Sequence, residues 1–364
     1  MTQPILRDPY LEWVAREGVP IRTGLAFDLL NEPTAPWPRL GGTTRGAYIH
    51  LTGRGDFVDL SIFELPPGGH TDPQRHLFEL VVYVLAGRGS TTVEGHTFEW
   101  GAGSLFALPL NTRYQHFNAS GREPARLAGV SNLPLMLNAF HNERFIFDNP
   151  FSFRERLGEE RYFRGDGTFL RVRPGRHQWE TNFVPDLPRF KLESWGQRGV
   201  GSSNIKFILA DGTMHAHMSE LAVGTYKKAH RHGPDFHIFP VTGHGYSLLW
   251  YAGDPDLQRI DWRPGWVYAP PDQMFHQHFN TAPYPSRYLA VAWGSIRYPF
   301  TSDKRAQFGD GSDTDISLGG RQIEYENEDP RIRHMFEAEL ARHGVEVDPR
   351  LRALWPVAAE MVSR

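Results

Sequence analysis

The chain has 364 residues, no cysteine and a formal net charge of -3, with 39 basic against 42 acidic residues. This balance excludes a strongly basic surface of the kind that binds nucleic acid, and the lack of cysteine excludes disulfides, thiolate ligands and a cysteine nucleophile. The first residues lack the apolar core of a signal peptide, and the apolar runs are too short to cross a bilayer. We therefore expect a cytoplasmic protein with a small-molecule partner and with no nucleic-acid or membrane partner. The sequence leaves open whether the chain forms a homo-oligomer.

Residues 1–44 are expected to form an N-terminal arm that is part helical and part irregular. Asp8 followed by Pro9 is typical of a helix start, and Gly18 is typical of its end. Residues 45–137 indicate a β-domain, because short apolar runs alternate with clusters of glycine, proline and asparagine.

The second half of the chain repeats this order of segments. Residues 138–204 are expected to form an ordered connector, because the segment is rich in aromatic residues, and a helix is predicted near residues 152–160. The strand pattern returns over residues 205–297. The remaining residues, 298–364, are predicted to be a C-terminal tail with helices.

The two strand-rich segments are copies of each other. A shift of 156 positions places Gly87-Arg88-Gly89 on Gly243-His244-Gly245. A shift of 162 positions places residues 99–118 on residues 261–280, with matching tryptophan, glycine, proline, histidine, phenylalanine and asparagine residues. A repeat of this length indicates two copies of one domain.

Four histidines of the second copy have a spacing that suits a metal site. His230 and His232 are two residues apart, so on a strand they share a face, and His237 follows after a Gly-Pro break. His276 comes from a later predicted strand. Imidazole nitrogen suits zinc, copper, iron and nickel, so the ligand type alone does not name the metal.

These residues resemble the two sequence motifs of the cupin superfamily. The first motif is Gly, five residues, His-x-His, three or four residues, Glu, six residues and Gly. The chain matches it with Gly224, His230, His232, His237 and Gly243. It departs from the motif in two ways: His237 stands in place of Glu, and one residue too few separates it from the final glycine. The second motif is Gly, five residues, Pro-x-Gly, two residues, His, three residues and Asn; it is matched at its ends by Gly265 and Asn280, with Pro271 and His276 between them and Gln273 in place of one glycine.

The resemblance implies an all-β fold of two tandem cupin barrels, each a double-stranded β-helix or jelly roll, with a few short helices at the termini and in the connector. Such a bicupin is similar to the gentisate-type ring-cleaving dioxygenases, in which histidines hold a single metal. In the first copy, Gln74, His76, Val81 and Tyr114 stand at the four histidine positions. We therefore expect the first barrel to have lost its metal ligands and the chain to bind one divalent metal.

The residues indicate the identity of the metal and the reaction less directly than they indicate the metal site. Four neutral imidazoles would leave the charge of the ion uncompensated, which favours an anionic substrate. The main hypothesis is a non-heme Fe(II) dioxygenase that uses O2 on a small anionic aromatic or enolisable compound; Mn, Ni, Cu and Zn remain open. The alternatives are a redox-silent isomerase, decarboxylase or lyase, and a non-catalytic binding protein.

Three further residues are candidates for catalysis. Lys228 is expected to neutralise a substrate carboxylate because it shares the strand parity of His230. His278 could move a proton, although its counterpart in the first copy, His116, favours a structural role. Arg287 is a second candidate for binding a carboxylate. The pair His215 and His217 is expected to lie on a strand or at the rim.

Overall fold

The computed structural model describes residues 6–173, 176–300 and 313–355. The expected all-β fold is confirmed, because strands make up two barrels and the helices are short. In chain order, the first strands are β1 Ile21–Gly24, β2 Ala26–Asp28, β3 Ala35–Pro36, β4 Arg45–Leu51, β5 Asp59–Leu65, β6 Leu80–Ala86, β7 Arg88–Val93, β8 His96–Gly101, β9 Leu105–Leu108, β10 Tyr114–Asn118 and β11 Ala125–Ser131. The later strands are β12 Thr168–Arg173, β13 Arg176–Thr181, β14 Phe183–Val184, β15 Glu193–Ser194, β16 Ser203–Leu209, β17 Met214–Leu221, β18 His237–Thr242, β19 Gly245–Trp250, β20 Gln258–Trp262, β21 Trp266–Tyr268, β22 Phe275–Asn280 and β23 Ser286–Trp293.

Among the described residues, the helices lie toward the ends of the chain and after the first barrel. The α-helices are α1 Pro9–Arg16, α2 Leu133–Phe140, α3 Glu143–Phe147, α4 Pro330–His343 and α5 Pro349–Arg352. The 3-10 turns are Pro38–Leu40, Arg154–Arg156, Glu160–Phe163, Leu187–Arg189, Gly196–Arg198, Ile316–Leu318 and Tyr325–Asn327. The helix predicted near residues 152–160 is wrong, since that stretch forms only a 3-10 turn. In the described part of the chain, no helix is long and apolar enough to span a bilayer.

Each barrel consists of a large sheet and a three-stranded sheet. The first barrel has an eight-stranded sheet, in which β11 lies between β5 and β6, and the small sheet β10-β7-β8. The second barrel has a nine-stranded sheet, in which β23 lies between β17 and β18, and the small sheet β20-β19-β22. The equivalent strands of the sequence repeat therefore take equivalent places.

Local backbone features are repeated as well. The pairing of β6 with β11 shifts register near Arg126, and that of β18 with β23 shifts between Pro240 and Thr242. Each bulge is followed by a glycine with positive φ, Gly87 at 86° and Gly243 at 76°. A Cβ on Gly243 would meet the Ser286 Oγ at 1.9 Å, so both conformation and space require glycine there.

The arm and the connector each contribute strands to both barrels. From the arm, β1 pairs with β4 of the first barrel, whereas β2 pairs with β21 of the second. From the connector, β12 and β13 extend the second barrel, whereas β14 returns to pair with β9 of the first. Neither segment is a separate linker.

Strand alternation sorts the side chains into barrel interiors and the interface between the barrels. On β18, Phe239 and Val241 pack in a core shared with residues of the first barrel such as Ile49 and Val81. The side chain of Ile238 instead packs inside the second barrel, together with that of Phe236, which precedes the strand. The side chain of residue 237 therefore belongs to the interface.

The tail packs on the second barrel. Ile332, Phe336 and Leu340 of α4 cover the outer face of the small sheet, where Tyr246 and Phe279 lie. Residues 321–323 run along residues 229–231, with backbone hydrogen bonds from Arg231 to Arg321 and from Ile323 to Ala229. The tail thus forms one edge of the histidine site; its residues 301–312 and 356–364 lie outside the described residues.

Candidate metal centre

Three of the four predicted histidines come together. His230, His232 and His276 each offer a ligand atom, and these atoms lie within 4.8 Å of one another. A pair of backbone hydrogen bonds of 3.1 and 2.9 Å joins His230 to His276 of β22. The ring centroids of His276 lie 4.3 Å from His230 and 4.6 Å from His232. Two distant motifs are therefore held side by side by the strand pairing.

Hydrogen bonds orient the three rings for ligation. The Nδ1 atom of His230 lies 3.2 Å from the Lys228 carbonyl, that of His232 lies 2.8 Å from the Gly233 carbonyl, and that of His276 lies 3.1 Å from the Met274 carbonyl. Because a carbonyl only accepts, each Nδ1 donates a proton, and a neutral ring then has its lone pair on Nε2. The donor set fits a divalent metal bound by three Nε2 atoms.

The surroundings favour neutral rings at two of these positions. Burial lowers the pKa of His276 to about 4. Burial and then the nearby Arg198 guanidinium keep the pKa of His230 well below its usual value. Neutral imidazole is the form that binds a metal, so these two positions are prepared for ligation at neutral pH.

His237 lies outside the group of three, which corrects the expectation of a fourth imidazole. Its side chain is buried in the interface between the barrels, its Nδ1 donates to the Asp235 carbonyl at 3.0 Å, and Nε2 has no partner among the described residues. Burial lowers its pKa to about 4, with smaller effects of Arg54 and His50, which belong to the first barrel. The physical reason is the register: Phe236 precedes Gly243 by six intervening residues, as the motif requires, and Phe236 lines the site.

Lys228 and Arg287 do not line the pocket beside the histidines, contrary to expectation. Lys228 forms an ion pair with Glu324 of the tail. Arg287 pairs with Glu220 at 2.6 Å and donates to the Leu187 and Phe190 carbonyls of the connector at 3.2 and 2.8 Å. For Lys228 the parity argument fails because residues 227–229 are not in a regular strand.

His278 takes part in a network that both barrels contain. Its Nδ1 lies 2.8 Å from the Ser247 Oγ, to which Trp262 donates at 3.1 Å. In the first barrel, His116 Nδ1 lies 2.8 Å from the Thr91 hydroxyl. The Trp100 ring nitrogen donates to the same hydroxyl at 2.9 Å, and these residues occupy the same register positions. The shared network supports the structural role for His278, although its ring centroid is only 5.5 Å from that of His276.

A strongly basic pocket of about 50 Å³ adjoins the histidines, and His230 and His232 form part of its wall. None of the described residues that line it is acidic. Its cationic residues are Arg176, Arg198, Lys206, Lys227, Arg231 and Arg321. Asp313 of the tail lies behind two of them, 2.8 Å from Arg176 and 3.1 Å from Arg198.

The sequence interpretation missed several residues of this pocket. The buried ammonium of Lys227 donates to the Tyr288 hydroxyl at 2.8 Å and lies 5.6 Å from the centre of the Trp195 ring. His215 and His217 lie on a strand, β17, which is one of the two expected placements, but the sequence did not show that they line the pocket, with a 2.8 Å hydrogen bond between them. Their shared parity with Leu221, which packs inside the barrel, was the sequence signal.

The first barrel contains no equivalent cluster among its described residues. His76 remains, but its Nε2 lies 2.8 Å from the Tyr114 hydroxyl and its Nδ1 lies 2.8 Å from the Phe78 carbonyl. Because Nδ1 donates to the carbonyl, Nε2 accepts the tyrosine proton. Tyr114 stands at the position of His276, so a hydrogen bond replaces a pair of ligands.

A comparison with family models supports the fold of the first barrel. Residues 61–131, in the first barrel, match the family model described as Cupin domain. A search of curated proteins found no match. Among solved structures, the chain is similar to the oxalate decarboxylase of Lactobacillus farciminis in a formate complex, with 15% identity, a TM-score of 0.47, and coverage of 74% of this chain and 86% of that one. For the oxalate decarboxylase of Bacillus subtilis at pH 4.6, the values are 15%, 0.45, 74% and 76%. Similarity at this level assigns neither a reaction nor a metal to this chain.

Proposed function

We propose that the protein is a metal-dependent enzyme in which His230, His232 and His276 hold one divalent ion and a small anionic substrate binds beside it. The observation that carries this proposal is the grouping of three imidazoles at the wall of a basic pocket. Three neutral ligands leave both charges of the ion uncompensated, and the pocket adds further positive charge. The metal ion and the basic pocket therefore both favour the binding of an anionic substrate.

Lys227 is the best candidate to bind a substrate acid group. Its ammonium is buried with one hydroxyl and two aromatic rings around it, and burial, followed by Arg198, holds its pKa well below the usual value. A carboxylate placed there would restore the solvation that burial removed. Lys227 thus takes the role that was expected of Lys228.

Within this proposal, the favoured reaction is dioxygenation with Fe(II). A histidine set of three leaves more of the ion open than a set of four, and Phe236 at the fourth motif position contributes no donor atom. A bound Fe(II) would supply electron transfer between an electron-rich substrate and O2. The chain itself would orient the substrate through Lys227 and Tyr288 and exclude water with Phe236.

A redox-silent isomerase, decarboxylase or lyase is the second candidate. The hydrogen-bonded pair of His215 and His217 favours it, because two imidazoles joined by a 2.8 Å hydrogen bond can pass a proton at the pocket wall. Mn, Ni or Zn would serve such a reaction as a Lewis acid.

Elemental analysis of the purified full-length protein, followed by oxygen uptake, tests the proposal. We expect one metal ion per chain, with iron supporting oxygen consumption in the presence of a small aromatic or enolisable acid. Turnover of such an acid by protein that contains only Zn or Ni, without oxygen consumption, would refute the dioxygenase and favour the second candidate. Protein that binds a chelating acid but turns over none with any of these metals restored would be a binding protein.

A further inference from the structure

The first barrel encloses its own cavity at the place where the second barrel has the histidine site. The cavity has a volume of about 60 Å³, against about 50 Å³ for the basic pocket. His76, Tyr114 and His116 line it, at the register positions of His232, His276 and His278. Six of the fourteen other lining residues are aromatic: Trp13, Trp37, Tyr48, Phe63, Phe78 and Phe147.

Two buried ring nitrogens at this cavity lack a hydrogen-bond partner among the described residues. They are His116 Nε2 and Trp13 Nε1, and both side chains are about 2% exposed. The Thr91 hydroxyl accepts from Trp100, and its remaining hydrogen-bond partner in the described chain is His116 Nδ1. Because the hydroxyl proton of Thr91 has no other acceptor among the described residues, we assign it to Nδ1, which leaves the ring proton of His116 on Nε2. Both orphan atoms are donors, and leaving buried donors unpaired is costly.

The charges at the cavity disfavour ionic ligands. Asp59 lies in the wall, hydrogen-bonded to Ser131, and burial raises its pKa to about 6, so an anion would meet a carboxylate at neutral pH. Arg39 lies at the partly exposed rim, where its guanidinium pairs with Glu17 at 2.7 Å and stacks 4.7 Å from the centre of the Trp13 ring. A cation would therefore meet an arginine on entry.

We infer that the first barrel is a second ligand site, which binds a small uncharged molecule made of an apolar, preferably aromatic, body and a hydroxyl or carbonyl oxygen. The aromatic residues of the wall bury the body, and the two unpartnered ring N–H groups, on His116 and Trp13, are available to the ligand oxygen. The site differs from the second barrel in charge preference and needs no metal, so it stands independently of the proposed reaction.

Calorimetric titration of the full-length protein with phenol tests this inference, with benzoate and benzylammonium as charged probes of similar shape. The two ions are compared with phenol on Lys227→Met, which lacks the proposed acid contact of the second barrel; there phenol is expected to bind saturably, and both ions at least about tenfold more weakly. Leu133→Phe, which fills the cavity, should abolish phenol binding, whereas His276→Ala in the second barrel should leave it unchanged. Trp13→Phe keeps the ring and removes the donor, and should weaken phenol binding about fivefold.

Each variant also defines a result that would overturn the inference. No saturable phenol binding, or binding that is lost in His276→Ala, would refute a site in the first barrel. Thermal unfolding shows whether Leu133→Phe is folded; a folded variant that still binds phenol rules the cavity out. Should Leu133→Phe not fold, equal phenol affinity of Trp13→Phe and the parent protein would refute the proposed contact.

Discussion

At the scale of single residues, the separation of His237 from the other three histidines gives the first prediction. His232→Ala and His276→Ala should each reduce the bound metal to a small fraction, because removing one of three ligands typically costs much of the affinity. His237→Ala should retain about one equivalent, since its imidazole lies in the interface between the barrels. Elemental analysis after dialysis measures this.

The control for metal loss is in the first barrel. Tyr114→Phe removes the hydroxyl that is hydrogen-bonded to His76 Nε2. The substitution lies outside the second barrel, so the metal content should not change. Loss of metal in His237→Ala, or two equivalents in the parent protein, would contradict this account of the site.

Two neighbouring lysines provide a matched pair for the second prediction. Lys227→Met should weaken the binding of a chelating anion such as salicylate to the Co(II)-loaded protein by about tenfold or more, because it removes the buried Nζ donor. Lys228→Met should have little effect, since that ammonium pairs with Glu324 of the tail. The titration is monitored by the visible absorption of Co(II). If Lys228→Met weakened salicylate binding more than Lys227→Met, then Lys228 would be the lysine that binds the acid group of the substrate.

Sequence spacing predicted the three grouped histidines but misplaced the fourth motif position. The missing residue before Gly243 was visible in the sequence, and counting back six intervening residues from that glycine reaches Phe236. Phe236 lines the pocket together with His230 and His232, in agreement with this count. Lys227 could not be found in this way, because strand parity does not apply to the irregular segment before His230.

At the scale of secondary-structure elements, Arg287 joins a barrel strand to the connector, which gives the third prediction. Arg287→Ala should lower the free energy of unfolding by about 2–3 kcal/mol, because Glu220 and two connector carbonyls lose a partly buried charged partner. Chemical denaturation measures the change. Arg263→Ala, at a mostly exposed arginine, should change stability by less than about 1 kcal/mol.

The anion affinity of the same variant separates this structural role from the one expected from the sequence. Replacing a residue that binds the substrate would weaken salicylate binding without lowering the stability of the protein. Arg287→Ala with unchanged stability and weakened salicylate binding would therefore contradict the assignment of Arg287 to the connector.

The sequence predicted the paired barrels because the repeat preserves turns and strand patterns over long stretches. It could not predict the exchanged strands. β2 has three residues and β14 has two, too few to show a periodicity, and their partners β21 and β9 lie far away in the chain. What fixes them is the need to cover a sheet edge, which depends on the assembled barrels.

At the scale of the whole molecule, an unusual number of buried histidines makes stability depend on pH. Burial is the main cause that lowers the pKa of five of them, to about 3 for His116 and about 4 for His50, His76, His237 and His276. An unfolded chain takes up these protons below pH 6.5, whereas the folded chain takes them up only near pH 4. Stability is therefore complete above pH 6.5 and falls as the pH drops toward 4, by up to about 1.4 kcal/mol per histidine and pH unit.

Among the described residues, two buried carboxyls, Asp59 and Glu328, act in the opposite direction. Burial raises the pKa of both, that of Asp59 to about 6, so above about pH 4 the folded chain keeps protons that the unfolded chain has lost, and acidification restores their share of stability. Five histidines outweigh two carboxyls. For metal-free protein, we expect a melting temperature at pH 5 that is lower than at pH 7.5 by about 10 °C or more. His237→Leu should make this dependence shallower, because it removes one of the buried imidazoles. A melting temperature that is flat across this range would show that the buried histidines are not held neutral by the fold.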